Sequence, residues 1–237
     1  MPVAEPGVGV ETVDLATTPL RELNARLHGA GGAGIASRWR VVHPHGAHAV
    51  AVGIDAEIEV DVDGHVGYYC AGMNQLATVR VHGNAGVGLA ENIMSGTVCV
   101  DGYAGQSCAA TGRGGLVIVQ GDASARCGIS MKGVDIVVRG SVGHMSAFMA
   151  QTGRLVVCGD AGEALGDSIY EARLYVRGAV TSLGADCVEK ELRDEHREQL
   201  GALLAQAGMA DADPAEFRRY GSARRLYTFD VDNAGEY

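Results

Sequence analysis

Aromatic residues are scarce in this sequence, at 5% of its 237 positions with a single Trp, and there are only 5 Pro. Basic residues are also few: 19 Lys and Arg stand against 29 Asp and Glu, for a net charge of −10. A chain this acidic lacks the positive field that draws proteins to phosphate backbones or anionic lipid surfaces, so neither nucleic acid nor membrane is an expected partner. No apolar run approaches the 18 or so residues needed to cross a bilayer. The first residues, with Glu5, Glu11 and Asp14, lack the basic and then apolar regions of an export signal, so the expected compartment is the cytoplasm. There the six Cys are expected to be free thiols and not a disulfide framework.

Familiar catalytic signatures are missing as well. The chain has no G-x-S-x-G, no H-E-x-x-H, no C-x-x-C and no Gly-Lys pair of a Walker A loop. Gly29-Ala30-Gly31-Gly32-Ala33-Gly34 matches the G-x-G-x-x-G pattern, but a helix precedes it where a dinucleotide fold needs a strand, so it reads as a linker.

What the sequence has in excess is glycine, 35 residues, and it is placed with a period. Gly64, Gly83, Gly102, Gly121, Gly140, Gly159 and Gly178 follow one another every 19 residues. Two residues before each stands a Val, from Val62 to Val176. Four before stand Val60, Val79, Val98, Val117, Ile136, Leu155 and Leu174. Apolar residues at alternate positions ending in Gly make a short β-strand with one buried face. The Gly permits either a turn with positive φ or close approach of a neighbouring backbone. Nineteen residues are too few for a strand and a crossover helix, but enough for one coil of a solenoid. The expected fold is therefore all-β, a single-stranded parallel β-helix of about seven 19-residue coils.

The periodic region lies in a stretch from 38 to 187, preceded by an arm, 1–37, and followed by a segment, 188–237, with a helix and tail. Charge density marks the second border: 17 charged residues in positions 64–187 against 18 in 188–237. In the arm, Thr18 as N-cap, Pro19 at the first position, Leu20, Leu23 and Leu27 on one face and Gly29 as stop predict a short helix. Beyond the coils, Val188, Leu192, Leu200, Leu203 and Leu204, with Gly208 as stop, predict a capping helix. Asp213-Pro214 predicts another helix ending near Tyr220. Leu226 to Val231 alternates like a strand.

Candidate site residues are few. Cys70, Cys108 and Cys127 share one column, six residues after the glycine, with Leu89 and Leu165, and so read as buried apolar positions. His43, His45 and His48 are the best metal candidate, with three imidazoles in six residues but no evident fourth ligand. The reading favours a cap loop there. His65, His82 and His144, and likewise Asp101, Asp122 and Asp160, fall at coil corners and read as turn residues. No catalytic, cofactor-binding or metal-binding residue is assigned.

Gly83-Asn84-Ala85-Gly86, Asn92-Ile93-Met94-Ser95-Gly96-Thr97-Val98-Cys99-Val100 and Gly128-Ile129-Ser130-Met131-Lys132-Gly133 resemble the GXGXG domain. That domain is the right-handed parallel β-helix at the C-terminus of the glutamate synthase large subunit, and it also forms one of the subunits of formylmethanofuran dehydrogenase. Gly64 to Asn74 and Tyr220 to Tyr227 resemble in particular the stand-alone GXGXG subunit of N-methylglutamate synthase (methylamine–glutamate N-methyltransferase). The resemblance implies a non-catalytic subunit of a hetero-oligomer. Its partners are an amidotransferase-type subunit and a glutamate synthase-like subunit that carries FMN and an iron–sulfur cluster, and the chain itself carries no cofactor. The alternatives are a scaffold in a formylmethanofuran dehydrogenase-like complex and an independent metal protein using the histidine loop.

Overall fold

The computed structural model describes residues 9–31 and 36–223. Nine strands run parallel in chain order across one sheet: β1 (Val10–Asp14), β2 (Arg38–Val42), β3 (Glu59–Asp63), β4 (Thr78–Val81), β5 (Thr97–Val100), β6 (Leu116–Val119), β7 (Lys132–Val138), β8 (Thr152–Val157) and β9 (Arg173–Val176). From β3 onward the register is the 19-residue period itself. Val60 pairs with Val79, then Val98, Val117, Ile136, Leu155 and Leu174, and all seven are buried. β-Branched side chains fit this pleated, half-buried surface, and each strand offers one face to the interior of the coil. The molecule is a parallel β-helix.

The seven glycines stand along one edge. Gly102 N–H donates to Gly83 O at 2.9 Å, and the same bond repeats through Gly121, Gly140 and Gly159 to Gly178. Their purpose is room, since only Gly64 among them has a positive φ, +134°. A Cβ on Gly83 would sit 2.6 Å from the Gly64 carbonyl carbon, and one on Gly121 would sit 2.8 Å from Gly102 O. Two residues later the coils touch again in a second parallel ladder, Val66–Ala85–Ala104–Ala123–Val142–Ala161–Val180.

Each coil then closes through a bend of alternating backbone sign. In the first full coil Tyr69, Ala71 and Met73 have φ of 64°, 53° and 55°, and the equivalents recur at Ser107, Ala109 and Thr111. Most of these positions are not glycine, although the left-handed region costs an L-residue about 1–2 kcal/mol. Hydrogen bonding compensates: Tyr69 N–H donates forward to Val87 O, Ala71 N–H back to Val50 O, and Met73 N–H forward to Glu91 O. The alternation therefore stitches each coil to both neighbours.

Among the described residues two α-helices lie outside the coils. α1 (Leu20–His28) buries Leu23 and Leu27 against the first coil and stops at Gly29. Pro19 occupies its N-cap, and no side chain caps it, so Thr18 does not play the expected part. α2 (Asp194–Gln206) lays Leu200, Leu203 and Leu204 on the outer face of the sheet, over Leu116, Ile118, Val137, Val156 and Tyr175. This is why β6 is buried on both faces whereas β4 and β5 alternate. Gly208, at φ 73°, ends the helix as expected.

The edge of β9 is covered by chain, not helix. β10 (Cys187–Lys190) holds Val188, so the expected helical run begins only at Asp194. β11 (Arg218–Ser222) lies antiparallel between β9 and β10. Asp213-Pro214 opens a single 3₁₀ turn, Pro214–Glu216, with the Asp213 carboxylate accepting the Ala215 N–H. The helix expected to end near Tyr220 gives way at Arg218 to strand β11, because β9 leaves hydrogen bonds to satisfy. At the other end β1 covers β2, an element absent from the sequence-based reading. Gly32–Gly34 and the alternating segment Leu226 to Val231 lie outside the described residues.

Candidate functional site

The three histidines of the first coil do separate things. His43 Nδ1 lies 2.8 Å from Asp14 Oδ1, and its ring stacks on His45 at 5.8 Å. His48 Nδ1 accepts the Tyr68 N–H at 2.8 Å and its ring stacks on Tyr68 at 4.5 Å. An acceptor nitrogen engaged with backbone has no lone pair left for a metal on that side. Among the described residues no group of three or more His, Cys, Asp or Glu is placed to hold a metal ion.

The cysteine column is interior. Cys70, Cys108 and Cys127 are fully buried, stacked with Leu89 and Leu165. Burial pushes the Cys70 thiol up to about 12. A hydrogen bond that the Cys127 thiol donates to Cys108, together with burial, drives Cys127 up as well. Cys70 and Cys127 therefore stay protonated and unreactive at neutral pH. Ser146 occupies the same column, also fully buried, and its hydroxyl donates to Gly143 O at 2.8 Å. Nothing in the sequence pattern singles it out. Its hydroxyl fits an apolar column only because it folds back on its own turn.

Corner polar residues do the work of turns, through the neighbouring coil. Asn84 Oδ1 accepts Tyr103 N–H, Asp122 Oδ1 accepts Ser141 N–H and Asp160 Oδ1 accepts Ala179 N–H, at 2.7–2.9 Å. His65 Nδ1 accepts the Asn84 N–H in the same way. Asp101 departs from this pattern. His82 stands between two carboxylates, Nδ1 2.8 Å from Asp101 and Nε2 2.9 Å from Asp61. The hydrogen bond that the ring donates to Asp101, helped by the one to Asp61, raises the His82 pKa. His82 thus joins three coils electrostatically. The 19-residue offset to Asp101 carried that signal, but it was legible only once the register was known. His144 is simply exposed.

What the surface does offer is apolar. Among the described residues ten large hydrophobics are exposed, and six of them fall between 68 and 103: Tyr68, Met73, Leu76, Val87, Met94 and Tyr103. Tyr68 and Val87 occupy the same column in adjacent coils, and Tyr68 and Tyr103 are 58% and 57% exposed. Tyr and Met are the residue types enriched where proteins meet one another. No helix among the described residues is long and apolar enough to cross a membrane.

Comparison with known proteins adds one relative. Protein GlxC of Rhizobium meliloti (strain 1021) is 62% identical over 225 residues, which cover 95% of this chain and 99% of that protein. No family model matches the chain, and no solved structure matches it. With that identity over nearly the whole of both sequences, the chain belongs to the family of Protein GlxC.

Proposed function

We propose that this chain is a non-catalytic scaffold subunit of a glutamate synthase-like enzyme. Its partners are an amidotransferase-type subunit and a synthase subunit that carries FMN and an iron–sulfur cluster. The assembled cytoplasmic enzyme makes N-methylglutamate from methylamine and glutamate. The observation that carries this reading is the run of exposed Tyr, Met, Leu and Val on the coils from Gly64 to Tyr103, on a β-helix whose corner residues Asn84, Asp122 and Asp160 are engaged with its own next coil. The resemblance of the coil motifs to the GXGXG domain supports the choice of partners.

The chain contributes rigidity. Each coil is bonded to both neighbours along the sheet, the corner and the bend, so a load on one face is carried by the whole rod. Such a body fixes the distance between two bound subunits without taking part in their chemistry.

Co-expression with candidate partner subunits tests the proposal. The chain is expected to co-purify with a flavin-bearing subunit in a complex that turns over methylamine and glutamate, while the isolated chain is colourless and inactive. Flavin bound by the isolated chain, or turnover by it alone, contradicts the reading.

A further inference from the structure

The exposed apolar residues of the early coils fall into two sets. Tyr68 and Val87 share one column, while Met73, Leu76 and Met94 stand further along the same coils. Between the two sets lie Cys70 and Ala71, and in the next coil Leu89 and Ala90, all four fully buried. The second set is therefore a surface of its own.

The coils that follow give this surface a charge. Met94 N–H donates to Asn74 O at 2.8 Å, Arg113 N–H to Ile93 O at 2.7 Å and Lys132 N–H to Gly112 O at 2.7 Å. One bond thus repeats every 19 residues, and Met94, Arg113 and Lys132 stand in a single column on successive coils. Met149, 42% exposed, lies one coil further in the column of Met73. With coils about 4.8 Å apart, Met73 to Met149 spans about 19 Å, the length of a helix of about 13 residues. Arg113 is exposed and Lys132 half-buried. Elsewhere on the sheet Arg38, Arg40, Arg80 and Arg154 each meet a carboxylate. Among the described residues neither Arg113 nor Lys132 has an ion pair or a side-chain hydrogen bond. Two neighbouring cations are thus left unmatched, between exposed methionines, on a chain of net charge −10.

Methionine adapts to irregular partner surfaces, and Met and Arg are enriched where proteins meet. Like charges on adjacent coils repel, and a carboxylate placed between them offsets that cost. A rod that fixes two subunits needs two faces, and Tyr68 and Val87 supply one. Resting on the scaffold role given above, we propose that Met73, Met94, Arg113, Lys132 and Met149 form the second face. Its occupant is an acidic amphipathic segment of the amidotransferase-type subunit. Apolar side chains of that segment lie on the methionines, and its carboxylates meet Arg113 and Lys132.

The test is calorimetric titration of the full chain with each purified partner subunit separately. Arg113→Glu/Lys132→Glu is expected to weaken binding of the amidotransferase-type subunit at least about tenfold, and to leave binding of the flavin-bearing subunit unchanged. Arg113→Lys/Lys132→Arg, which keeps both charges, should retain both affinities. Added salt should weaken the first complex more than the second. Arg113→Glu alone, at an exposed position, should act in the same direction if the double variant fails to fold. A charge-reversed chain that binds the amidotransferase-type subunit as tightly as the parent, or that loses both subunits equally, overturns this assignment and leaves the scaffold role standing. A parent that binds neither subunit overturns the scaffold role and this face with it.

Discussion

The carboxylate of Asp122 passes over Gly140 to accept the backbone N–H of Ser141 at 2.8 Å. The corner glycine is needed because the preceding coil's side chain and carbonyl fill the space that a Cβ would occupy. Gly140→Ala meets both Asp122 Oδ1 and Gly121 O, the latter at 2.8 Å, and is expected to cost about 1–3 kcal/mol. Asp122→Ala, which removes one exposed hydrogen bond, should cost about 0.5–1.5 kcal/mol. The double variant should lose less than the sum of the two, since Asp122→Ala removes part of the clash. Urea unfolding of the four proteins measures this coupling.

The left-handed bends make a prediction of opposite sign. Arg126 is exposed at φ 59°. Arg126→Gly relieves about 1–2 kcal/mol of backbone cost against about 0.5–1 kcal/mol for the added freedom of the unfolded chain. A gain of about 0.5–1 kcal/mol is expected. Arg113, exposed at an ordinary negative φ, serves as control, and Arg113→Gly should lose stability. Thermal melts of the two variants separate the cases.

His82 gives the stability a pH dependence of known sign. Its folded pKa is raised above the ordinary 6.5 by Asp101 and Asp61. Its contribution is therefore fully present below about pH 6.5 and is lost as pH rises through the raised value. His196 works in the opposite direction, because burial, reinforced by Arg219, lowers its pKa and favours the neutral ring in the fold. The difference in urea midpoint between the parent and His82→Gln isolates the first effect. That difference should shrink from pH 6 to pH 8.5, and should also shrink in high salt because the ion pairs are partly exposed.

The thiols should follow burial. Cys99 is the one half-exposed cysteine, while Cys70, Cys108 and Cys127 lie inside the coils. With an aromatic disulfide reagent at pH 8, Cys99 should react first and the interior column should react only on unfolding, when all six become available. Peptide mapping of the modified native chain identifies the order.

The period made the core legible before any coordinates: the Val and Leu columns, the glycine edge and the buried cysteines are all where a 19-residue coil places them. What escaped were features that depend on two coils at once or on distant segments. Asp122 and Asp160 looked like local turn residues, yet their acceptor oxygens serve the next coil. Ala71 and Ala109 carry no sequence mark of a left-handed backbone, because the hydrogen bonds that hold them there come from neighbouring coils. Val188 seemed to belong to the helical run, and only its pairing with Gly221 makes it strand. The loss of alternation in Leu116–Val119 was the visible trace of α2, a helix nearly eighty positions further on.

The claim that the exposed coils join this chain to its partners is tested most directly by the double variant Tyr68→Glu/Val87→Glu, co-expressed with the flavin-bearing subunit and weighed by native mass spectrometry. Both side chains are exposed, so the variant should keep the parent's circular dichroism and melting behaviour. The expected result is a folded chain that no longer assembles, whereas the parent is recovered in the complex. A variant that assembles as fully as the parent would contradict the account.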